Sequence, residues 1–147
     1  MIALLQRVSR SSVRIDAKEV AKIGRGVTIF LGVMDGDTIE DLQKLADKIV
    51  DLRIFPDERG RMHYSLKQIE GEALVVSQFT LAADLKRGRR PSFERAMEPN
   101  GAKRLYELFC ERMGESVDVQ RGVFGASMEV EIHNDGPVTI IVDSREI

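Results

Sequence analysis

An α+β domain, its mostly antiparallel or mixed β-sheet curled toward a barrel and flanked by two main helices, is the architecture these 147 residues predict. Three observations point there. About seven to nine short segments alternate apolar with polar residues or are rich in β-branched ones. Two longer segments repeat apolar residues at the spacing of a helix with one buried face. Hydrophobic residues make up 43% and charged residues 31%, a balance that gives one domain of this length a real core.

Taken in order, "IALLQRVSRSSVRID" predicts two strands that meet near Ser9–Ser11. "KEVAKIGRGVTIFLGVM" predicts two more, broken at Gly24-Arg25-Gly26; Val27 to Val33 is almost continuously apolar, as in a strand buried on both faces. "DGDTIEDLQKLADKIVDL" is the clearest helix, with Asp37 or Thr38 as its N-cap. "RIFPDERGRMHYS" reads as strand, turn, strand. "EALVVSQFTL" is a buried strand that runs straight into Ser77-Gln78, and the basic, Pro- and Gly-rich "AADLKRGRRPSFERAMEPNG" behind it is a loop. "AKRLYELFCERM" is the second helix. "SVDVQRG", "SMEVEIH" and "VTIIVDS" predict three closing strands, with Asn134-Asp135-Gly136-Pro137 as a hairpin turn between the last two. No repeat or linker interrupts the chain, so residues 1–147 are expected to be a single domain.

Composition narrows the function classes. A formal net charge of −2 excludes a whole-molecule electrostatic nucleic-acid binder, so any such contact needs a local basic patch. The single cysteine, Cys110, allows no disulfide framework, and the two histidines, His63 and His133, do not suggest a metal site; no metal and no cofactor are expected. The first residues are too short and too charged a run for a signal peptide or a membrane span, which makes the cytoplasm the expected location.

Three stretches carry possible chemistry. "SQFTL" places Ser77, Gln78, Phe79 and Thr80 where a buried strand ends, and N–H groups freed there can stabilise an oxyanion. Thr80 could instead be a nucleophile, given a base, or the hydroxyls could simply cap the backbone. "LKRGRRPSF" packs Lys86, Arg87, Arg89 and Arg90 into five residues, suited to phosphate or to a solvated loop. "NDGPV" is a turn signature; X–Pro bonds are cis only about 5–6% of the time in folded proteins, so these residues alone give little reason to expect a cis bond. Cys110 reads as a core thiol, and both histidines as surface or structural residues.

Together, "QRVSRSSV", "LADKIVDLRIF", "LVVSQFTLAAD", "GRRPSF" and "NDGPVT", in this order over essentially the whole chain, resemble the D-aminoacyl-tRNA deacylases of the bacterial and eukaryotic type. "SQFTL" and "NDGPVT" are the two signatures of that family, and their joint presence is the specific signal. The resemblance implies a cytoplasmic homodimer that hydrolyses the ester between a D-amino acid and the terminal adenosine of tRNA, with the site at the dimer interface. It implies a cis Gly136-Pro137 peptide inserted into the partner's pocket, with Val138 and Thr139 behind it. Ser77, Gln78, Phe79 and Thr80 would line the pocket for the aminoacyl end, and Phe124, Gly125 and Met128 of "FGASM" its adenosine wall. Lys86, Arg87, Arg89 and Arg90 would meet tRNA phosphates. The chain departs from the family pattern at Val123 and Ser127, where Arg and Asp are usual, and at His63, where Asn is usual. Two other readings stand beside this one: an esterase with Thr80 as nucleophile, and a non-catalytic RNA- or DNA-binding accessory protein on the same fold.

Overall fold

The computed structural model describes every residue from Met1 to Ile147. Its elements follow the chain as β1 (Ile2–Ile15), β2 (Lys18–Ile23), β3 (Gly26–Gly32), α1 (Ile39–Asp51), β4 (Arg53–Pro56), β5 (Met62–Ser65), β6 (Glu72–Ser77), α2 (Pro99–Gly114), β7 (Asp118–Arg121) and β8 (Glu129–Asp143). A short 3₁₀ turn, Phe79–Ala82, follows β6.

One long strand organises the main sheet. Ile2 to Val8 of β1 pair antiparallel with β3, and Ser11 to Ile15 pair with β2 on the same edge. Along its other edge β1 pairs with β8 over nearly its full length. From β3 the sheet continues through β6 and β7 in parallel. Parallel neighbours need crossover connections, and the segments holding α1 and α2 supply them. β2 also touches β6 and β7, so the mixed sheet curls almost closed into a barrel. β4 and β5 form a separate hairpin.

Two expectations need correction. The Ser9–Ser11 region does not divide two strands; β1 runs through it. The Ser11 hydroxyl is buried and donates to the Glu131 carbonyl at 2.7 Å, so the neighbouring strand takes up the polarity that looked like a turn. At the other end, "NDGPV" is not a hairpin turn, and the three closing strands are two. β8 runs through Gly136-Pro137, and that peptide is cis. Val8 pairs with Asn134 and Gln6 with Thr139, so two steps along β1 face five along β8. The surplus residues leave the ladder as a bulge. Within the sheet β8 pairs only with β1, and a bulge on an edge strand is where a sheet tolerates proline, which has no N–H to donate.

The two helices lie together against the sheet. α1 buries Leu42, Leu45, Ala46 and Ile49, with Thr38 capping its N-terminus through a reciprocal contact with Asp41. α2 buries Leu105, Tyr106, Phe109, Cys110 and Met113. Burial pushes the Cys110 thiol up to about 11, so it packs as a neutral core group, as expected. No helix is long and apolar enough to cross a membrane.

At the surface the helices are clamped by Arg112, which donates to both carboxylate oxygens of Asp47 at 2.8 and 2.9 Å. That hydrogen bonding holds the Asp47 carboxyl below its usual range. A carboxylate with a depressed pKa stabilises the fold above its unfolded pKa and loses that contribution as pH falls through the folded one. Asp47→Asn is therefore expected to lower the melting temperature slightly at pH 7. The gap to the parent protein should close as pH drops through the acidic carboxylate range, which melting curves across pH would show.

Candidate active site

Three chain segments leave the sheet at the same end, because β3, β6 and β7 are parallel to one another. A cavity of about 690 Å³ opens at that carboxyl end, the place where parallel strands leave backbone groups free of the ladder. One wall comes from the end of β6: Val76, Ser77, Gln78 and Phe79. The segment after β7 supplies Phe124, Gly125, Ala126 and Met128, and the start of β8 adds Val130. Phe93, Ala96, Met97 and the N-terminal turn of α2 close the third side.

The β6 wall is set by the close approach of two backbones. Gln78 N–H donates to Leu31 O at 2.8 Å. A Cβ at Gly32 would lie 2.9 Å from the Leu81 Cβ and 3.2 Å from Gln78 O, so glycine is what lets the 3₁₀ turn pack on the end of β3. The first i→i+3 bond of that turn runs from Leu81 N–H to Gln78 O at 3.2 Å. The N–H groups of Phe79 and Thr80 precede it and have no partner within the turn. Phe79 is 57% exposed at the lip, edge-on to Phe93 with ring centroids 5.0 Å apart.

The opposite wall is propped from behind. Tyr106 Oη donates to Val75 O at 2.9 Å, and its ring packs against Phe124 at 5.9 Å between centroids. Burial raises the Tyr106 phenol far above its ordinary range, so it stays a neutral donor. Val123 N–H donates to the Met128 sulfur at 3.4 Å, which holds the thioether on the cavity wall.

The expected residues thus divide. Ser77, Gln78, Phe79, Phe124, Gly125 and Met128 line the cavity; Thr80 sits just beyond it, where its Oγ1 accepts a hydrogen bond from the Gln78 amide. Gly136, Pro137, Val138 and Thr139 do not line the cavity of their own chain. Gly136 and Pro137 are exposed on the β8 bulge, and Thr139 anchors its far side by accepting from Gln6 Nε2 at 3.2 Å. Lys86, Arg87, Arg89 and Arg90 project into solvent without ion pairs, from a loop tied at its base by the Asp84–Ser92 bridge.

Sequence reasoning missed the residues that hold the bulge. Arg7 is buried, with its Nε 3.1 Å from Asp135 O and 3.2 Å from the Asp135 carboxylate, and its Nη1 donating to Ile54 O at 2.6 Å. Asn134 Nδ2 donates to Arg7 O at 3.1 Å and to Val138 O at 3.0 Å, tying the bulge to β1 and its two ends to each other. It also missed Phe93, Ala96 and Met97. They reach the cavity because Met97 N–H donates to Val33 O at 3.0 Å and Met34 bridges to Ala96.

The sequence and fold match known proteins. The family model described as D-Tyr-tRNA(Tyr) deacylase matches residues 4–143. D-aminoacyl-tRNA deacylases of a Sulfurihydrogenibium species and of Aquifex aeolicus are each 58% identical over the full length of both chains. Among solved structures, a c-Myc DNA unwinding element binding protein is 39% identical with a TM-score of 0.92, covering 97% of this chain and 98% of that one. A probable eukaryotic D-amino acid tRNA deacylase has the same fold at 20% identity, with a TM-score of 0.83 and the same coverage.

Proposed function

Since the chain belongs to the D-Tyr-tRNA(Tyr) deacylase family, we propose that it hydrolyses the ester of D-aminoacyl-tRNA, releasing a free D-amino acid and tRNA. The observation that carries this reading is the cavity at the end of β6. At its rim the N–H groups of Phe79 and, just beyond, Thr80 have no partner within the 3₁₀ turn, and across from them stands an aromatic and thioether wall at Phe124 and Met128, suited to a ribonucleotide end.

In this reading the terminal adenosine packs against Phe124 and Met128, and the ester carbonyl faces the N–H groups of Phe79 and Thr80. Water, activated with the help of the 2′-OH of the terminal ribose, attacks the carbonyl carbon. The Phe79 and Thr80 N–H groups take up the charge that develops on oxygen. The bond from the acyl carbon to the ribose oxygen then breaks, and that oxygen leaves with a proton as the tRNA hydroxyl. The chain's own part is placement and an oxyanion site.

The enzyme acts as a homodimer in which the Gly136-Pro137 tip of one subunit enters the partner's cavity. The exposure of the tip and its absence from its own cavity both suit this arrangement. Carbonyls of the tip face Cα of the substrate, so an L side chain would strike backbone, and D-residues are admitted by exclusion of L. Lys86, Arg87, Arg89 and Arg90 meet tRNA phosphates. Glycine carries no side chain to clash, so glycyl-tRNA is expected to be hydrolysed at a rate within about tenfold of D-tyrosyl-tRNA, checked by parallel deacylation assays.

The testing experiment is deacylation of matched D- and L-tyrosyl-tRNA. Hydrolysis of D with L spared supports the reading; hydrolysis of neither sinks it. The solved relative named for a DNA element favours one other reading, a nucleic-acid-binding accessory protein. It would bind nucleic acid but leave both esters intact.

A threonine nucleophile would need a base beside Thr80. What stands there is the Gln78 amide, while His63 contacts Arg53 and His133 contacts Glu131. Thr80→Ala is expected to lower kcat by less than about tenfold. A fall to background with tRNA binding and fold intact would give the hydroxyl the nucleophilic role.

A further inference from the structure

A second, polar cavity of about 350 Å³ opens beside the first and shares Met128 with it. Arg14, Asp16, Ala17, Ser127 and Glu129 complete its lining. Arg14 and Glu129 face each other in register across β1 and β8. Asp16 opens the turn into β2. None of the three charged groups forms an ion pair within the chain, so their hydrogen-bonding capacity is held toward solvent.

The charge balance decides what could bind. One guanidinium between two carboxylates is a poor site for a phosphate, which would meet more negative charge than positive. It is a good site for the edge of a base that offers both donors and acceptors. Cytosine presents a donor amine at N4 beside acceptors at N3 and O2. Carboxylates accept from that amine, and a guanidinium donates to the acceptors. Uracil replaces the amine with an acceptor oxygen, which would face the carboxylates without a hydrogen between them. Single-stranded RNA ends are read through such exposed base edges.

Location supplies the identity of the nucleotide. If the terminal adenosine lies against Phe124 and Met128, its 5′ neighbour must leave the main cavity past one of its walls. Met128 lines both cavities, so the second lies on the far side of that wall. In every tRNA that neighbour is a cytidine. We propose that the Arg14–Asp16–Glu129 cavity is a subsite that reads the base edge of the penultimate cytidine of the tRNA 3′ end. This inference rests on the deacylase reading given above.

The test compares D-tyrosyl esters of adenosine, of the dinucleotide CpA and of UpA, with the parent protein and with Arg14→Ala and Glu129→Gln. Arg14 and Glu129 are both exposed, so the variants should fold, which circular dichroism would verify. The CpA ester should be hydrolysed with a kcat/KM about tenfold above the adenosine ester, and the UpA ester should gain little. Arg14→Ala should erase the CpA advantage while leaving the adenosine ester unchanged, and Glu129→Gln should narrow the gap between CpA and UpA. Equal rates for CpA and UpA, or a parallel fall on all three esters in Arg14→Ala, would overturn the subsite. If no ester is cleaved, the deacylase reading itself fails. Titration with unacylated CpA and UpA then decides separately: a preference for CpA that Arg14→Ala removes upholds the subsite, and equal affinities overturn it.

Discussion

Replacing Gly136 with alanine is expected to reduce hydrolysis of D-tyrosyl-tRNA by about a hundredfold or more while leaving the fold intact. Gly136 has φ +129°, a backbone conformation that L side chains rarely adopt. A Cβ there would lie 2.8 Å from Val138 Cγ2, 2.9 Å from Val138 N and 3.1 Å from Arg7 Nη2. The valine methyl could rotate away, but the backbone nitrogen cannot yield without moving the bulge. The guanidinium cannot yield without loosening its hold on Asp135 O and Ile54 O. The bulge must therefore reshape at its tip, the part that the proposed dimer places against the substrate's Cα. Stability should change far less, because the strained residues are exposed on an edge strand; a cost of about 1–3 kcal/mol is the expected scale. Measuring kcat/KM on D- and L-tyrosyl-tRNA beside a thermal melt separates the two effects. Unchanged rate and unchanged chirality would remove the tip from the mechanism.

The same residues show what a sequence reveals and what it hides. Buried strands such as β3 and β6 were legible because continuous β-branched and apolar runs have few other homes. The helices were legible from their apolar period, although α2 starts earlier than its apolar run, at Pro99 behind the Glu98 cap. The local chemistry of the Gly-Pro bulge is that of a turn; only the ladder of β1 on both sides makes it part of a strand. That Ser77, Gln78 and Phe79 line a cavity is legible because polar residues follow a buried strand. Arg7 does carry a signal in the sequence. Met1, Ala3 and Leu5 alternate into the core, and the next position in that period is Arg7, which a strand would bury only if the guanidinium had carbonyls to meet. Phe93 and Met97 left no such signal. Their segment is set on the cavity by the long-range pairing of Met97 with Val33 and of Ala96 with Met34, which no local pattern encodes.

A tRNA ending in 2′-deoxyadenosine is expected to be hydrolysed about 10²–10⁴ times more slowly than one ending in adenosine, the range ascribed to a single acid–base group. The inventory of side chains around the cavity leads to this. Its only carboxylate is Glu98, and both of its oxygens already accept N–H groups of α2, from Gly101 and Asn100. The Gln78 amide beside Thr80 has no basic lone pair at neutral pH. Cys110 is buried in the core with its thiol protonated, and each histidine is engaged on another element. In the proposed mechanism the group that helps activate water therefore comes with the substrate, as the ribose 2′-OH adjacent to the ester. Single-turnover rates on the D-tyrosyl esters of the two tRNAs would read the effect on chemistry, and a filter-binding assay would show that affinity is retained. Thr80→Ala adds a second axis. If the ribose hydroxyl is the essential group, the deoxy substitution should dominate and the threonine variant should alter both substrates by the same small factor. Full activity on the deoxy substrate, with a collapse in Thr80→Ala, would move the chemistry from the RNA to the protein.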